Sequence, residues 1–223
     1  MVNKIKVLNL YAGIGGNRKL WNGVDVTAVE INQNIAAVYK KLFPKDNVIV
    51  DDAHKYLLEH YNDGWDFIWS SPPCPTHSTF KVIWVKSGKQ KPVYPDMKLY
   101  QEVIFLKKYF DGKHCIENVI PYYKPLIKPQ KCDRHYFWCN FPIEDKKYGM
   151  MDIRYGKAEV LENKYDIDLR EHTGIDKRQV LRNCVRPELG KHIFDCAFKK
   201  KQLSLNELNQ EAKRNVNNTR KLE

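Results

Sequence analysis

Ile5-Lys6-Val7-Leu8-Asn9-Leu10-Tyr11-Ala12-Gly13-Ile14-Gly15-Gly16 is the stretch on which the fold turns. A short apolar run closed by glycines predicts a strand ending in a tight turn, because glycine admits the positive-φ backbone such a turn needs. Glycines there also let the backbone approach a ligand at the start of the next element. The spacing lacks the full dinucleotide fingerprint, so a plain turn accounts for it nearly as well.

Outward from this stretch, Val24 to Val29, Val48 to Val50, Phe67 to Trp69 and Cys115 to Ile116 repeat the short apolar run. Between them, Gln33 to Phe43 has helical patterning stopped by Pro44, and Leu99, Val103, Leu106 and Phe110 fall on one helical face. The alternation predicts an α/β fold: a Rossmann-like, doubly wound, mostly parallel sheet over the first 120 residues. Pro121, Pro125 and Pro129 then interrupt regular structure, and Arg134 to Phe141 is an aromatic-rich strand. Residues 142 to 175 read as polar, irregular and too short for a core of their own. Helical patterning resumes at Lys177 to Leu181 and after Pro187, and Ser204 with Glu207 forms a capping box for a last helix. The units expected are therefore 1–140, 141–176, 177–198 and a basic helical tail, 199–223.

The chain has 223 residues, enough for one compact core, and 38 Lys+Arg against 27 Asp+Glu give a formal charge of +11. That balance attracts phosphate-rich partners, although a basic soluble protein has the same composition. No apolar stretch reaches the length of a membrane span, and the start does not read as a secretory signal, so a cytoplasmic protein is expected. Six cysteines without a paired framework read as reduced thiols. Cys132, His135 and Cys139 lack a fourth ligand, and no metal is expected.

Candidate chemistry gathers at strand ends. Glu30, closing the second strand, has a carboxylate that can accept both hydroxyls of a ribose, and Asp52, after the third, can meet an adenine amine. Each alone reads equally as a helix-start acid or an N-cap. The fourth strand runs into Ser70-Ser71-Pro72-Pro73-Cys74-Pro75-Thr76-His77-Ser78, which sets a cysteine on a proline-stiffened loop where ligands of such folds bind. Cys74 is there either a nucleophile or an inert loop thiol. Glu117-Asn118-Val119 ends the fifth strand with a carboxyl group able to hold a proton, and Arg134 offers a guanidinium for a carbonyl or anion, or for a surface pair with Asp133. Lys81, Lys86, Lys89 and Lys91 fall close together with no acid among them, either a phosphate clamp or a solvated loop.

Taken in order, these motifs resemble the DNA cytosine-5 methyltransferase family. Asn9 to Gly16 is similar to its cofactor loop, Glu30 to its ribose-binding acid and Asp52 to its adenine-binding acid. Pro72-Pro73-Cys74 resembles the catalytic Pro-Pro-Cys, Glu117-Asn118-Val119 the Glu-Asn-Val motif, and Gln130 to Arg134 the Gln-Arg motif. Arg182-Asn183-Cys184-Val185 resembles the segment that closes the cofactor pocket. The chain departs from the family at Asn9 for Asp, Pro75 for Gln, Cys132 for Arg and Arg182 for Gly, and the chain between Phe141 and Lys177 is short where the family carries target recognition.

The resemblance implies methyl transfer from S-adenosylmethionine to carbon 5 of cytosine in double-stranded DNA, on a flipped base. Cys74, Glu117 and Arg134 are then catalytic, and Tyr11, Ala12, Gly13, Gly15, Gly16, Glu30, Ile31, Asp52, Ala53, Pro72, Asn183 and Cys184 hold the cofactor. Ser78, Lys81, Lys86, Lys89 and Lys91 contact DNA, residues 141–176 are a reduced recognition segment, and the protein is a monomer in a bacterial or viral, nucleoid-associated setting. Three rival readings are an RNA cytosine methyltransferase, a DNA-binding subunit whose partner supplies specificity, and a nucleotide-binding α/β protein without methyl transfer.

Overall fold

The computed structural model describes residues 4–149 and 157–199. Seven strands form one sheet: β1 (Ile5–Leu10), β2 (Val24–Val29), β3 (Asn47–Ile49), β4 (Phe67–Ser70), β5 (Lys113–Val119), β6 (Gln130–Cys132) and β7 (His135–Cys139). Their order is β3-β2-β1-β4-β5-β7-β6; β1 to β5 run parallel, while β7 is antiparallel to both its neighbours. The parallel order places a crossover on each side of β1, as in doubly wound folds that bind ligands at the carboxyl ends of their strands.

Alternate residues of the central strands face opposite layers, and both layers are covered. Val7, Phe67 and Trp69 pack with Leu189, Ile193 and Phe194 of α7 (Pro187–Phe198). Leu8, Ile68 and Ile116 pack with Leu57 of α2 (Ala53–His60) and with Leu99, Val103 and Leu106 of α4 (Lys98–Tyr109). Two covered faces explain why these strands read as continuous apolar runs. Each fully buried side chain of this size contributes roughly 1.5–3 kcal/mol. α1 (Gln33–Leu42) begins at Asn32, whose side chain accepts from the amides of Asn34 and Ile35.

Three expectations are corrected. The loop expected around Lys81 to Lys86 is α3 (Thr79–Lys86), capped by Ser78 and burying none of its residues. Its apolar residues, Phe80, Val82, Ile83, Trp84 and Val85, are spread around the helix instead of being gathered in one stripe opposite a polar face, so periodicity does not reveal it. Within the supposedly irregular 142–175 lies α5 (Ala158–Tyr165), and Leu161, Tyr165, Ile167 and Leu169 are buried with Ile14, Val38 and two residues of α6 (Lys177–Asn183), Val180 and Leu181. This segment has no core of its own but shares one with the glycine loop and α1. The proline-rich stretch is followed by β6, which pairs with β7 through a turn at Asp133, whose φ is 52°. The capping box at Ser204 lies outside the described residues. Among those described, no helix is long and apolar enough to cross a membrane, and all six cysteines are free thiols.

Candidate active site

The turn after β1 has two kinds of glycine. Gly15, at φ 81°, faces the rings of Phe43 and Tyr39, and Gly16 faces Cys184 and the Val185 carbonyl, so a side chain at either would collide with packed atoms. Gly13, at φ 53°, faces open space. Its amide donates to Glu30 Oε2 at 3.0 Å, and the Asn32 amide donates to Oε1 at 2.9 Å. Glu30 therefore fixes the turn while each oxygen keeps a further acceptor site. Ile31 beside it is 67% exposed, an apolar surface at the mouth of this edge.

Asp52 is the N-cap of α2, accepting from the amides of His54 and Lys55 through Oδ1. Partial burial pushes its carboxyl up, but those amides together with Lys98 and His54 hold it below the usual range. Oδ2 faces Lys98 Nζ at 3.8 Å. The N-cap alternative is thus realised, and it leaves the second oxygen free of backbone bonds. Ala53 is buried behind it.

Tyr11, at φ 54°, donates its hydroxyl to Glu102 Oε1 at 2.6 Å. Burial and Glu102 push that hydroxyl far above its ordinary range. Glu102 also accepts from Ser70 Oγ at 2.5 Å and pairs with His54 Nδ1 at 2.9 Å. One buried carboxylate thus ties the ends of β1 and β4, and α2, to α4. Sequence reasoning missed it, though the signal was present: with Leu99, Val103 and Leu106, position 102 completes the i, i+3, i+4, i+7 stripe and is its one acid.

The loop after β4 is pinned on three sides. Asn118 Nδ2 donates to the Pro72 carbonyl at 2.9 Å, the amides of His77 and Ser78 donate to the Cys74 carbonyl, and Thr76 Oγ1 accepts from the Asp96 amide. His77, buried, contacts the Tyr123 hydroxyl through Nδ1 at 2.6 Å, and burial lowers its pKa. Burial, reinforced by Glu117, pushes the Cys74 thiol up to about 11. Glu117, on β5, is 7% exposed and faces His135 Nε2 at 3.7 Å.

A cleft of about 940 Å³ opens over this loop. Its lining includes Cys74, Ser78 and Lys81, Arg134 and His135 where β7 begins, and Arg182 with Asn183 at the end of α6. Of the expected nucleic-acid contacts, Ser78 and Lys81 are thus brought to Cys74 and Arg134. Lys86, at the end of α3, and Lys89 and Lys91 beyond it are exposed outside the cleft lining. Cys184 packs on Gly16, and burial pushes its thiol up to about 12. The glycine loop and Glu30 lie at the strand edge next to this cleft. His135 was the residue the sequence reading passed over, being noticed only as an incomplete metal ligand.

Residues 5–93 match the family model described as C-5 cytosine-specific DNA methylase. Over that segment the chain is similar to the C-5 cytosine methyltransferases. It is 38% identical over 77 residues to a tRNA (cytosine(38)-C(5))-methyltransferase of Spodoptera frugiperda, an alignment covering 31% of this chain and 23% of the relative. The matched stretch thus spans about a quarter of the length of that curated relative. Among solved structures, a DNMT2 variant from Spodoptera frugiperda is 18% identical at a TM-score of 0.42, over 72% of this chain and 65% of that one. The Entamoeba histolytica methyltransferase EhMeth is 13% identical at a TM-score of 0.40, over 92% and 91%.

S-adenosylmethionine is the cofactor of this family, and the donor set fits it. Glu30 retains acceptor sites on both oxygens for the two hydroxyls of a ribose, Asp52 keeps Oδ2 for an amine, and Gly13 faces open space rather than packed atoms.

Proposed function

We propose that the protein transfers a methyl group from S-adenosylmethionine to carbon 5 of cytosine in DNA, through a covalent adduct with Cys74. The observation that carries this reading is the hydrogen bond from Asn118 to the Pro72 carbonyl, which locks the Glu117 strand to the Cys74 loop beside a cleft lined also by Arg134.

Carbon 5 of cytosine is a weak nucleophile, and a thiolate adding at carbon 6 converts the ring into an enamine that is a strong one. Cys74, which lines the cleft, supplies the thiol for that addition. Its raised pKa means that the thiol proton must leave as the base arrives, so addition and proton loss are coupled. Glu117 holds a proton at ring nitrogen 3, drawing electron density from carbon 6, and Arg134 donates to the exocyclic oxygen as charge spreads onto it. When bound, S-adenosylmethionine supplies an electrophilic methyl group on a sulfonium. Loss of the carbon 5 proton and elimination of Cys74 Sγ then restore the aromatic ring and the free enzyme. The target must leave the base stack, at a cost of a few kcal/mol offset by contacts in the cleft.

Cytosine in RNA is the second reading, favoured by the aligned relative being named for a tRNA cytosine. Both are tested by supplying labelled S-adenosylmethionine with duplex DNA or RNA and resolving the nucleosides by mass spectrometry. The expected result is 5-methylcytosine from DNA with wild type and none with Cys74→Ala. Label only in RNA selects the second reading, and no methylated cytosine in either overturns both.

A further inference from the structure

α3 is the part of the cleft least explained by phosphate binding. It buries no residue, yet Phe80, Ile83 and Trp84 are 43%, 51% and 43% exposed, and Val93, Tyr94 and Met97 follow in the same excursion. Phe80 and Trp84, one turn apart, have ring centroids 6.3 Å apart at 37°, and both line the cleft beside Cys74. The segment is ordered by its own polar bonds: Lys81 Nζ donates to Gln90 Oε1 at 2.8 Å, and the Lys89 and Gln90 amides donate to the Trp84 carbonyl. Lys81, Lys86, Lys89 and Lys91 lie on the same segment as these rings, with no acid between residues 79 and 95.

A clamp on duplex phosphates needs the lysines but gains nothing from exposed rings, since a stacked duplex hides its base faces. Rings interleaved with cations are what unpaired nucleotides require: a π-face for each base and charge for the backbone. An apolar protein partner would cover the rings but leave four lysines facing it without counter-charge. We infer that Phe80 and Trp84 form a stacking platform for an unpaired nucleotide next to the target cytosine, so that the cleft takes a single-stranded or looped segment. This rests on the reading of the cleft as a nucleic-acid site.

The test uses the full chain and two probes, a cytosine-containing single-stranded oligodeoxynucleotide and the same strand in a duplex, with an RNA of the same sequence as a third arm. Binding is read from the fluorescence anisotropy of end-labelled probes, so that variants lacking the exposed Trp84 are measured in the same way as wild type. Single strands bind more tightly than the duplex; Trp84→Ala weakens single-strand binding by about tenfold and duplex binding by less than about twofold, and Trp84→Phe keeps most of the affinity. Lys89→Ala weakens all probes alike. Equal losses on single strand and duplex with Trp84→Ala, no loss on either, or no binding by wild type overturns the platform. The functional reading fails separately: if single strands bind as described but no cytosine is methylated, the platform stands and the proposed reaction falls. Comparison of the DNA and RNA arms names the source of the unpaired strand.

Discussion

Cys74 carries the proposed chemistry, yet burial and Glu117 hold its thiol at about 11, so its thiolate is scarce at neutral pH. A neutral thiol resists stray oxidation, and substrate entry changes the surroundings that keep it neutral. Iodoacetamide alkylation of Cys74, followed by peptide-resolved mass spectrometry, should therefore rise about tenfold per pH unit from 7 to 10. Levelling off just above pH 9 would show the thiol to be unperturbed. His114 on β5 gives a second residue-scale prediction. It is 4% exposed and burial lowers its pKa to about 4, against an ordinary value of 6.5. The unfolded chain then takes up a proton that the folded one refuses, so stability falls as pH drops from 6.5 towards 4, by roughly 3 kcal/mol for this group alone. His54 works the other way: its pKa is raised by the bond to Glu102, so its contribution is present at low pH and fades as pH rises through that value. Denaturant melts at pH 7 and 4.5 should show the acid loss shrinking in His114→Phe; an unchanged loss sinks the assignment. At this scale Cys74 and Arg134, which line one cleft, could be picked out in the sequence because strand-end motifs are local. Glu102 shows in the sequence only as the one acid on the α4 stripe, and neither it nor His135 reveals its partner, 48 and 18 residues away, as Glu102 meets His54 and His135 meets Glu117.

Elements decide what a substitution in the glycine loop means. At Gly16 the turn abuts α6's end, and a methyl group meets both the Cys184 side chain and the Val185 backbone carbonyl. Gly16→Ala should cost about 1–3 kcal/mol by overpacking, measured as a lowered denaturation midpoint, and Cys184→Ala should restore only part because the Val185 carbonyl remains. At Gly13 the methyl group meets nothing, so Gly13→Ala should cost only about 1 kcal/mol for its positive φ. Calorimetry should show that Gly13→Ala loses more affinity for S-adenosylmethionine than of stability. The reverse ranking of the two variants would show the loop to be packing alone. The same contrast separates legible elements from hidden ones. β1, β2, β4, α1 and α4 bury a face and print it in the sequence as apolar runs or stripes. α3 buries nothing, and α5 contributes only Leu161 and Tyr165 to a cluster completed by Ile14 and Val38, so neither has a pattern that stands without its neighbours.

Across the whole molecule, a charge of +11 draws nucleic acid to any face, and affinity alone does not reveal which face receives it. Salt dependence does, because the slope of log affinity against log salt counts phosphates neutralised rather than net charge. Lys81 and Arg182 line the cleft and Lys86 closes α3 beside it, whereas Lys4, Lys6 and Lys113 are exposed at the amino ends of β1 and β5, the opposite edge of the sheet. Replacing either trio by alanine removes the same three charges. If the carboxyl edge receives the strand, Lys81→Ala, Lys86→Ala and Arg182→Ala together lower the slope by about 2–3, while the Lys4, Lys6 and Lys113 replacements leave it within about 0.5 of wild type. Fluorescence titrations between about 50 and 200 mM salt resolve that difference, since each neutralised phosphate changes the slope by about 0.7–0.9. Equal slopes for the two trios would mean that the protein holds nucleic acid by its general charge, and the cleft would lose its claim to orient the strand towards Cys74. Unequal slopes in the expected direction would tie the basic composition to the same edge at which β1, β4 and β5 end.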